Sequence, residues 1–416
     1  MRIESLSAGR RVLNTVTIKN YKSIERMKLS LGRVNVLIGE NGAGKSNIVE
    51  AIALAGAAQA NKLDHEFLTS RGIRAVTPRL MRSAFQNEAK EKISLTVVGR
   101  NKVLTEFTLS HDGKPYSAWQ KSINSDLTQA SNITAGMQPR MADLLENIAP
   151  DRRENFLDEL RSALSNVIRD EGGNRINIAS STENSQGFEE FLTKLFPSAD
   201  ANLLSFVIFS PENSALRQFE NESQIEPLGI RGEGLLRLLN VMEAANDTGR
   251  IEQVRNGLRM LGWFDDYKII DDATPRMEIT DRFLPEGLTF DQRSANEGFL
   301  FIAFYFALFC SEHTPPLFAV DNIDASLNPK LCSAMIEQLV GMAKRNDKQV
   351  ILTTHNPAVL DGLDLNDDDQ RLFVVQRNRH GRTEAVRRKK PAGSDAPRKL
   401  SEMFMAGLIG GLPKAF

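Results

Sequence analysis

Hydrophobic and polar positions follow strand-like patterns near both ends of the chain and helical patterns elsewhere. Continuous apolar runs predict buried strands at 33–38, 317–320 and 349–353. Strict alternation predicts the strands of an antiparallel flank at 12–18, 27–31, 92–98 and 104–109. Helical spacing occurs at 47–52, 234–246, 250–261 and 299–311. These elements predict an α/β fold with a mixed or parallel central sheet and an antiparallel β flank.

The middle of the chain is predicted to be a largely helical insertion. Helical spacing covers residues 141–148, 152–168 and 188–195, and a strand pattern covers 201–209. The stretch 117–137 is rich in Ser, Asn and Gln, so we expect a loop there. Heptads are not sustained anywhere, which argues against a long coiled coil.

Composition adds little about partners but favours a cytoplasmic protein. Lys and Arg total 52 against 53 Asp and Glu, so net charge neither supports nor opposes nucleic-acid binding. Cys310 and Cys332 lie in apolar helical patterns, typical of buried thiols in a reducing compartment. The longest apolar run, 298–310, is too short to span a bilayer, so we expect no membrane contact.

The segment from Gly39 to Ser46 reads GENGAGKS, a complete phosphate-binding loop between a predicted strand and a predicted helix. Its glycines let successive backbone amides point at one centre, and the helix adds its positive dipole end. Lys45 is expected to reach the terminal phosphates of ATP, and the Ser46 hydroxyl to ligate Mg²⁺. The candidate nucleotide-binding residues here are Gly39, Asn41, Gly42, Ala43, Gly44, Lys45, Ser46 and Asn47.

Two further polar residues directly follow predicted buried strands. Asp321 ends the strand 317–320, where a carboxylate beside the phosphate loop would hold the Mg²⁺ ion through its water shell. His355 lies just past the strand 349–353, at the carboxyl edge where ligands bind in open α/β sheets. Its order after the loop and the strand acid favours a catalytic or γ-phosphate-sensing role; the alternative is a structural histidine.

These motifs resemble the ABC-type ATPase heads of the SMC-like and RecF-like group, and more closely the stand-alone ATPases of the overcoming-lysogenization-defect (OLD) type. The matching segments are 20–24 (NYKSI), 34–52 around the phosphate loop, 317–324 with its DNID, 351–360 (ILTTHNPAVL) and 399–411. The resemblance implies an ATPase that uses ATP and Mg²⁺. It also implies an N-terminal part of the head at 1–115, an insertion or lid at 116–262 and a C-terminal part at 263–416.

The resemblance implies, in addition, a signature loop that completes the ATP site of a second protomer. The candidate is Ser294–Gly298, which we call the signature-like loop, and within it Asn296, Glu297 and Gly298. The family usually has Ser-x-Gly, so asparagine replaces serine here and can still donate to a phosphate oxygen. The alternative is an ordinary helix N-cap by Ser294 or Asn296.

The chain departs from the family at Asn322, where a glutamate usually orients the attacking water. Asparagine cannot accept a proton, and Asp324 is the nearby carboxylate. Either Asp324 replaces the base, or hydrolysis is slow and ATP mainly holds a dimer together; we favour the second. A third interpretation is that Asp324 only caps a helix beginning near Leu327.

The resemblance further implies a nucleotide-gated homodimer that controls a separate effector protein, a nuclease or toxin, in bacterial anti-phage defence. The rival hypotheses are a RecF-like DNA-repair ATPase that binds DNA directly and a non-hydrolysing scaffold that assembles on ATP. Two basic clusters could contact nucleic acid or a partner: Arg71, Arg74, Arg79 and Arg82, and Arg377, Arg379, His380, Arg382, Arg387, Arg388, Lys389 and Lys390. An acidic run at 364–369 is interpreted as a solvated loop and not as a metal site.

Overall fold

A computed structural model describes most of the chain. It covers residues 13–83, 85, 92–99, 104–114, 117–126, 175–178, 203–218, 227–245, 248–270, 272, 275–389 and 399–410. The predicted helices at 141–148, 152–168 and 188–195 lie outside these residues.

The described strands, in chain order, are β1 (Leu13–Tyr21), β2 (Ile24–Ser30), β3 (Val34–Ile38), β4 (Ile93–Gly99), β5 (Leu104–Ser110), β6 (Gln120–Asp126), β7 (Arg175–Ile178), β8 (Ile208–Phe209), β9 (Phe264–Ile270), β10 (Arg276–Asp281), β11 (Thr289–Asp291), β12 (Leu317–Val320), β13 (Gln349–Thr354), β14 (Gln370–Arg377) and β15 (Thr383–Arg388). The described α-helices are α1 (Lys45–Gln59), α2 (His65–Ser70), α3 (Pro78–Met81), α4 (Asn213–Leu216), α5 (Leu235–Ala244), α6 (Thr248–Leu258), α7 (Glu297–Cys310), α8 (Pro329–Arg345) and α9 (Leu400–Met405). Short 3₁₀ helices cover Arg259–Leu261 and Pro357–Gly362.

The central sheet has the order β15-β14-β3-β13-β12-β8 and is parallel except for the hairpin strand β15. Its strands β3, β12 and β13 are buried at every position, as expected for a parallel sheet covered on both faces. Parallel strands end at one edge, so the residues after β3, β12 and β13 are brought together. The α/β class and the three buried strands predicted from the sequence are confirmed.

An antiparallel sheet with the order β2-β1-β4-β5-β6-β7 forms the flank. The four alternating strands predicted for the flank are confirmed. The prediction of a loop over 117–137 is wrong for 120–126, which form β6: Gln120 is exposed and residues 121–124 are half-buried, while the backbone of the strand pairs with β5. A third sheet, β11-β10-β9, was not predicted.

Two apolar cores lie on opposite faces of the central sheet, because neighbouring strand residues point to opposite faces. Val36 and Leu352 pack into the core that contains α7, and Leu37 and Ile351 into the core that contains α1 and the flank. Helix α7 is buried continuously from Phe299 to Cys310, so it runs through the interior.

Both cysteines are free and buried, and burial raises the pKa of Cys310 to about 12 and that of Cys332 to about 11. The raised pKa values disfavour the reactive thiolate form of both side chains. Among the described residues, no helix is long and apolar enough to cross a membrane.

Candidate nucleotide-binding site

The phosphate loop connects β3 directly to α1. Gly44 adopts a left-handed backbone with φ of 105°, and a Cβ there would lie 2.2 Å from Thr383 Oγ1. A Cβ on Gly39 would lie 2.1 Å from the carbonyl oxygen of Val375. Both positions therefore require glycine. Asn41 and Gly42 are exposed at the tip of the loop, whereas Ala43 is buried beneath it.

Lys45 lies at the start of α1 with its side chain folded under the loop. Its Nζ donates to the carbonyl oxygens of Gly39 at 2.8 Å and Glu40 at 3.1 Å. Burial lowers the pKa of Lys45, and the charges of Asp321, Asp324 and Glu40 oppose that shift. An anion bound at the loop would favour the charged ammonium, as a phosphate site requires.

Ser46 and Asp321 meet across the sheet edge, although they are far apart in the chain. Ser46 Oγ donates to Asp321 Oδ2 at 2.9 Å, and Thr353 Oγ1 donates to the other carboxylate oxygen. A hydroxyl and a carboxylate at hydrogen-bond distance are the oxygen ligands that Mg²⁺ prefers. The residues present therefore fit a magnesium ion at the end of β12.

A hairpin fastens the phosphate loop from outside. Thr383 Oγ1, at the start of β15, donates to the carbonyl oxygen of Ala43 at 2.8 Å. Arg377 Nε, at the end of β14, donates to that of Gly42 at 2.9 Å. Asn47 Nδ2 donates to Ser23 Oγ at 2.7 Å, which joins α1 to the turn between β1 and β2. The phosphate loop and the start of α1 are thus held by contacts from two separate parts of the chain.

Asp324 is a buried carboxylate at the same sheet edge. Thr354 Oγ1 donates to Asp324 Oδ1 at 2.6 Å, and Nε2 of the exposed His355 lies 3.7 Å from Oδ2. The interpretation of Asp324 as a helix cap is wrong: Asn328 caps α8 by accepting from Leu331 N at 2.9 Å. The cap lies one turn later because Pro329 starts the helix.

Asn322 is exposed in a left-handed conformation, with φ of 55°, and its backbone N–H donates to Thr353 Oγ1 at 3.0 Å. Asparagine tolerates this conformation better than glutamate does. The backbone conformation at this position therefore favours the asparagine that is present over a glutamate.

The signature-like loop leads into α7 at the exposed end of that helix. Asn296 accepts from Phe299 N at 2.8 Å and is therefore the N-cap of α7, while its role in the ATP site of a second protomer stays a prediction. Glu297 accepts from Asn213 Nδ2 at 2.6 Å and from Ser326 Oγ at 3.0 Å. Gly298 has room for a Cβ at ordinary contact distance, 3.5 Å from Leu327 Cδ2.

Comparison with known proteins now identifies the family. A family model described as "AAA domain, putative AbiEii toxin, Type IV TA system" matches residues 34–361, from β3 to the 3₁₀ helix after His355. The chain belongs to this family. It is a P-loop ATPase of the AAA or ABC type, as the sequence predicted.

Two relatives match about a third of this chain in sequence. The DNA replication and repair protein RecF of Rickettsia felis is 27% identical over 151 residues, which are 36% of this chain and 38% of that protein. An uncharacterized protein of Methanocaldococcus jannaschii is 29% identical over 131 residues, 30% of this chain and 58% of that protein. The match therefore spans less than two thirds of either relative's length.

A solved structure confirms the fold over most of the chain. The SMC head bound to the C-winged helix domain of ScpA superposes with a TM-score of 0.52 at 13% identity, covering 91% of this chain and 98% of that one. Likeness at this identity concerns the fold alone. The predicted resemblance to the RecF-like and SMC-like group is confirmed.

Sequence reasoning missed the segment after β8. Strand β8 pairs with β12, and the amide of Asp321 donates to the carbonyl oxygen of Phe209 at 2.8 Å. Asn213 and Arg217 follow and contact the signature-like loop. A strand pattern that ends in polar residues was the available signal, but the edge position of β8 could not be read from it.

Several arginines of the two basic clusters make hydrogen bonds or ion pairs within the protein. In the first, Arg74 binds the buried Glu50 at 2.6 Å and Arg82 binds the carbonyl oxygen of His111 at 2.7 Å. In the second, Arg377 holds the phosphate loop. Arg382 pairs with Glu25 and Arg387 with Asp368. Arg388 and Lys389 line a cavity of about 400 Å³ with Leu408 and Ile409. Lys390 lies outside the described residues.

The acidic run at 364–369 forms turns and ion pairs. Asp364 and Asp367 accept from the backbone amides two residues later, and Asp368 pairs with Arg371 at 2.8 Å. The described ranges contain no group of three or more His, Cys, Asp and Glu side chains arranged for a metal ion. The interpretation as a loop is confirmed.

Proposed function

We propose that this protein binds Mg²⁺-ATP at the phosphate loop and works as a nucleotide-gated homodimer. The contact that supports binding of Mg²⁺-ATP is the 2.9 Å hydrogen bond between Ser46 Oγ and Asp321 Oδ2, next to the buried Lys45. ATP phosphates would accept from Lys45 and from the amides of Asn41 to Ser46, while Ser46 and Asp321 would hold the ion.

Hydrolysis in this proposal is slow. Asn322 cannot take the proton of an attacking water, and Asp324 has one oxygen committed to Thr354 and the other 3.7 Å from His355. In this arrangement Asp324 orients Thr354 and His355, and His355 senses the γ-phosphate. ATP then acts chiefly by holding two subunits together, with Asn296, Glu297 and Gly298 closing on the partner's nucleotide.

The biological role is inferred from the family and not from the geometry of the site. The family's description as a putative AbiEii toxin of a type IV TA system supports a role in a toxin or defence system. We propose that the dimer controls an associated effector protein in anti-phage defence.

The similarity to RecF favours a second candidate, an ATPase that binds DNA directly in repair. Binding of duplex or gapped DNA by the purified dimer would favour repair, and a co-purifying effector would favour control.

The nucleotide site is tested by Lys45→Ala. Loss of one charge-assisted phosphate contact removes about 1.5–3 kcal/mol, so ATP affinity should fall at least about tenfold. Isothermal titration of ATP with Mg²⁺ measures this directly.

A matched control is Lys344→Ala, which removes an exposed lysine of α8 on another part of the surface. Its ATP affinity should equal that of the wild type. Unchanged affinity in Lys45→Ala would remove the phosphate loop from the proposal.

A further inference from the structure

Arg217 binds the backbone at the signature-like loop with both terminal nitrogens of its guanidinium. Nη1 donates to the carbonyl oxygens of Gln292 at 2.6 Å and Arg293 at 2.7 Å, and Nη2 to that of Ala295 at 2.9 Å. A planar fork with five fixed donors suits three acceptors spread over four residues, whereas a lysine is a single point of charge. Arg217 therefore holds the carbonyl side of this backbone, while Asp291 accepts from the amides of Arg293 and Ser294.

Nε of Arg217 connects the loop to helix α4. Arg217 Nε donates to Asn213 Oδ1 at 2.9 Å, and Asn213 Nδ2 donates onward to Glu297 Oε1 at 2.6 Å. The loop is thus held at its backbone by Arg217 and at its Glu297 side chain by Asn213. Ser326 holds the same carboxylate from the other side, at 3.0 Å.

Helix α4, with Asn213 and Arg217, and the segment with Ser326 both lie close in the chain to residues of the subunit's own nucleotide site. Helix α4 begins four residues after Phe209, whose carbonyl oxygen accepts from the amide of Asp321 at 2.8 Å. Ser326 lies two residues beyond Asp324 in the segment that follows β12. A shift of Asp321 toward a bound ion would therefore reach the signature-like loop through two short, hydrogen-bonded connections.

We propose that Arg217 is a positioning residue for the ATP-dependent dimer. It fixes the signature-like loop in the shape that meets the partner's ATP, and it couples that shape to the subunit's own nucleotide site. This inference rests on the proposed function, because the loop acts only across a dimer. The residue touches neither nucleotide in this scheme, so its loss should separate dimerisation from ATP binding.

The test compares Arg217→Ala and Arg217→Lys with Gln218→Ala, an exposed neighbour used as the control. ATP affinity of the monomer is measured by titration calorimetry at low protein concentration, and dimerisation by light scattering against protein concentration. We expect Arg217→Ala to bind ATP within about twofold of wild type but to need at least about tenfold more protein to dimerise, as for loss of a charge-assisted contact. Arg217→Lys should fall between, and Gln218→Ala should match wild type.

Two results would overturn the inference: dimerisation of Arg217→Ala equal to wild type, or a parallel loss of ATP affinity and dimerisation, which marks a general fold defect. A wild-type protein that stays monomeric with ATP would overturn the proposed function instead. In that case, hydrogen exchange of the backbone amides at 294–298 still tests whether Arg217 fixes the loop. If these amides exchange no faster in Arg217→Ala than in Gln218→Ala, the inference is wrong. If Arg217→Ala does not fold, Arg217→Lys and Asn213→Ala are compared in the same way.

Discussion

The backbone conformation at Asn322 disfavours the glutamate that the family usually has at this position. Its φ of 55° lies in the left-handed region, where a non-glycine residue costs roughly 1–2 kcal/mol and asparagine or aspartate costs least. Sequence comparison identifies the missing glutamate, but only the structure reveals this conformational preference. The backbone of this turn favours asparagine over glutamate, which supports the slow hydrolysis proposed above.

Turnover by variants at Asn322 and Asp324 separates the two mechanisms. We expect Asn322→Glu to raise phosphate release, since a positioned base contributes about 10²–10⁴-fold and a grafted, strained one less. Asn322→Asp suits the turn but is shorter, so it should gain less. Asp324→Asn keeps an acceptor for Thr354 and should change turnover only a few-fold.

The opposite pattern contradicts this account. If Asp324→Asn abolishes phosphate release while its ATP binding is unchanged, Asp324 is the surrogate base. Steady-state phosphate release, measured beside ATP affinity for each variant, distinguishes the cases.

At the scale of elements, the sequence predicted what local patterns determine. The buried strands β3, β12 and β13 and the phosphate loop were predictable because apolar runs and glycine spacing are local signals. Helix α7 was predicted within two residues of its start, 299 against 297.

Elements defined by pairing were missed. Strand β6 is mostly polar and pairs with β5 and β7, so it looks like a loop in the sequence. The hydrogen bonds from Thr383 and Arg377 to the phosphate loop join residues more than 330 positions apart. No local pattern encodes such contacts, and they complete the site.

Lys348, just before β13, is a buried link between elements. Its Nζ donates to Thr314 O at 2.8 Å and Thr314 Oγ1 at 3.0 Å, and burial lowers its pKa to about 8 from the usual 10.5. Below pH 8 the buried ammonium opposes folding in full. Between pH 8 and 10.5 the unfolded chain binds more protons, so this residue's contribution to stability rises with pH.

Lys348→Met removes that titration. From pH 8 to pH 10 the wild type should gain about 2 kcal/mol of unfolding free energy relative to Lys348→Met, at about 1.36 kcal/mol per pKa unit. Urea unfolding at both pH values measures the difference. Lys344→Met, at an exposed position, should show no such change, and a flat difference for Lys348→Met would show that Lys348 is not titrating in this range.

At the scale of the whole molecule, the residues of the candidate ATP site lie at one edge of the central sheet, and the signature-like loop lies at the exposed end of α7. The two cores on either face of the central sheet hold α1 and α7 in place, so these two regions are fixed within each subunit. A second copy, related by two-fold symmetry, would bring each loop to the other's nucleotide. ATP would then bind the dimer better than the monomer and shift the equilibrium by mass action.

Molar mass in solution, measured by light scattering with and without Mg²⁺-ATP, tests this claim most directly. The wild type should shift from monomer toward dimer on addition of ATP. Gly298→Trp should still bind ATP but remain monomeric, because its bulk occupies the closing surface while the first carbon fits without clash. A wild-type mass that does not change with ATP, or a Gly298→Trp protein that dimerises as well as wild type, would contradict the nucleotide-gated dimer.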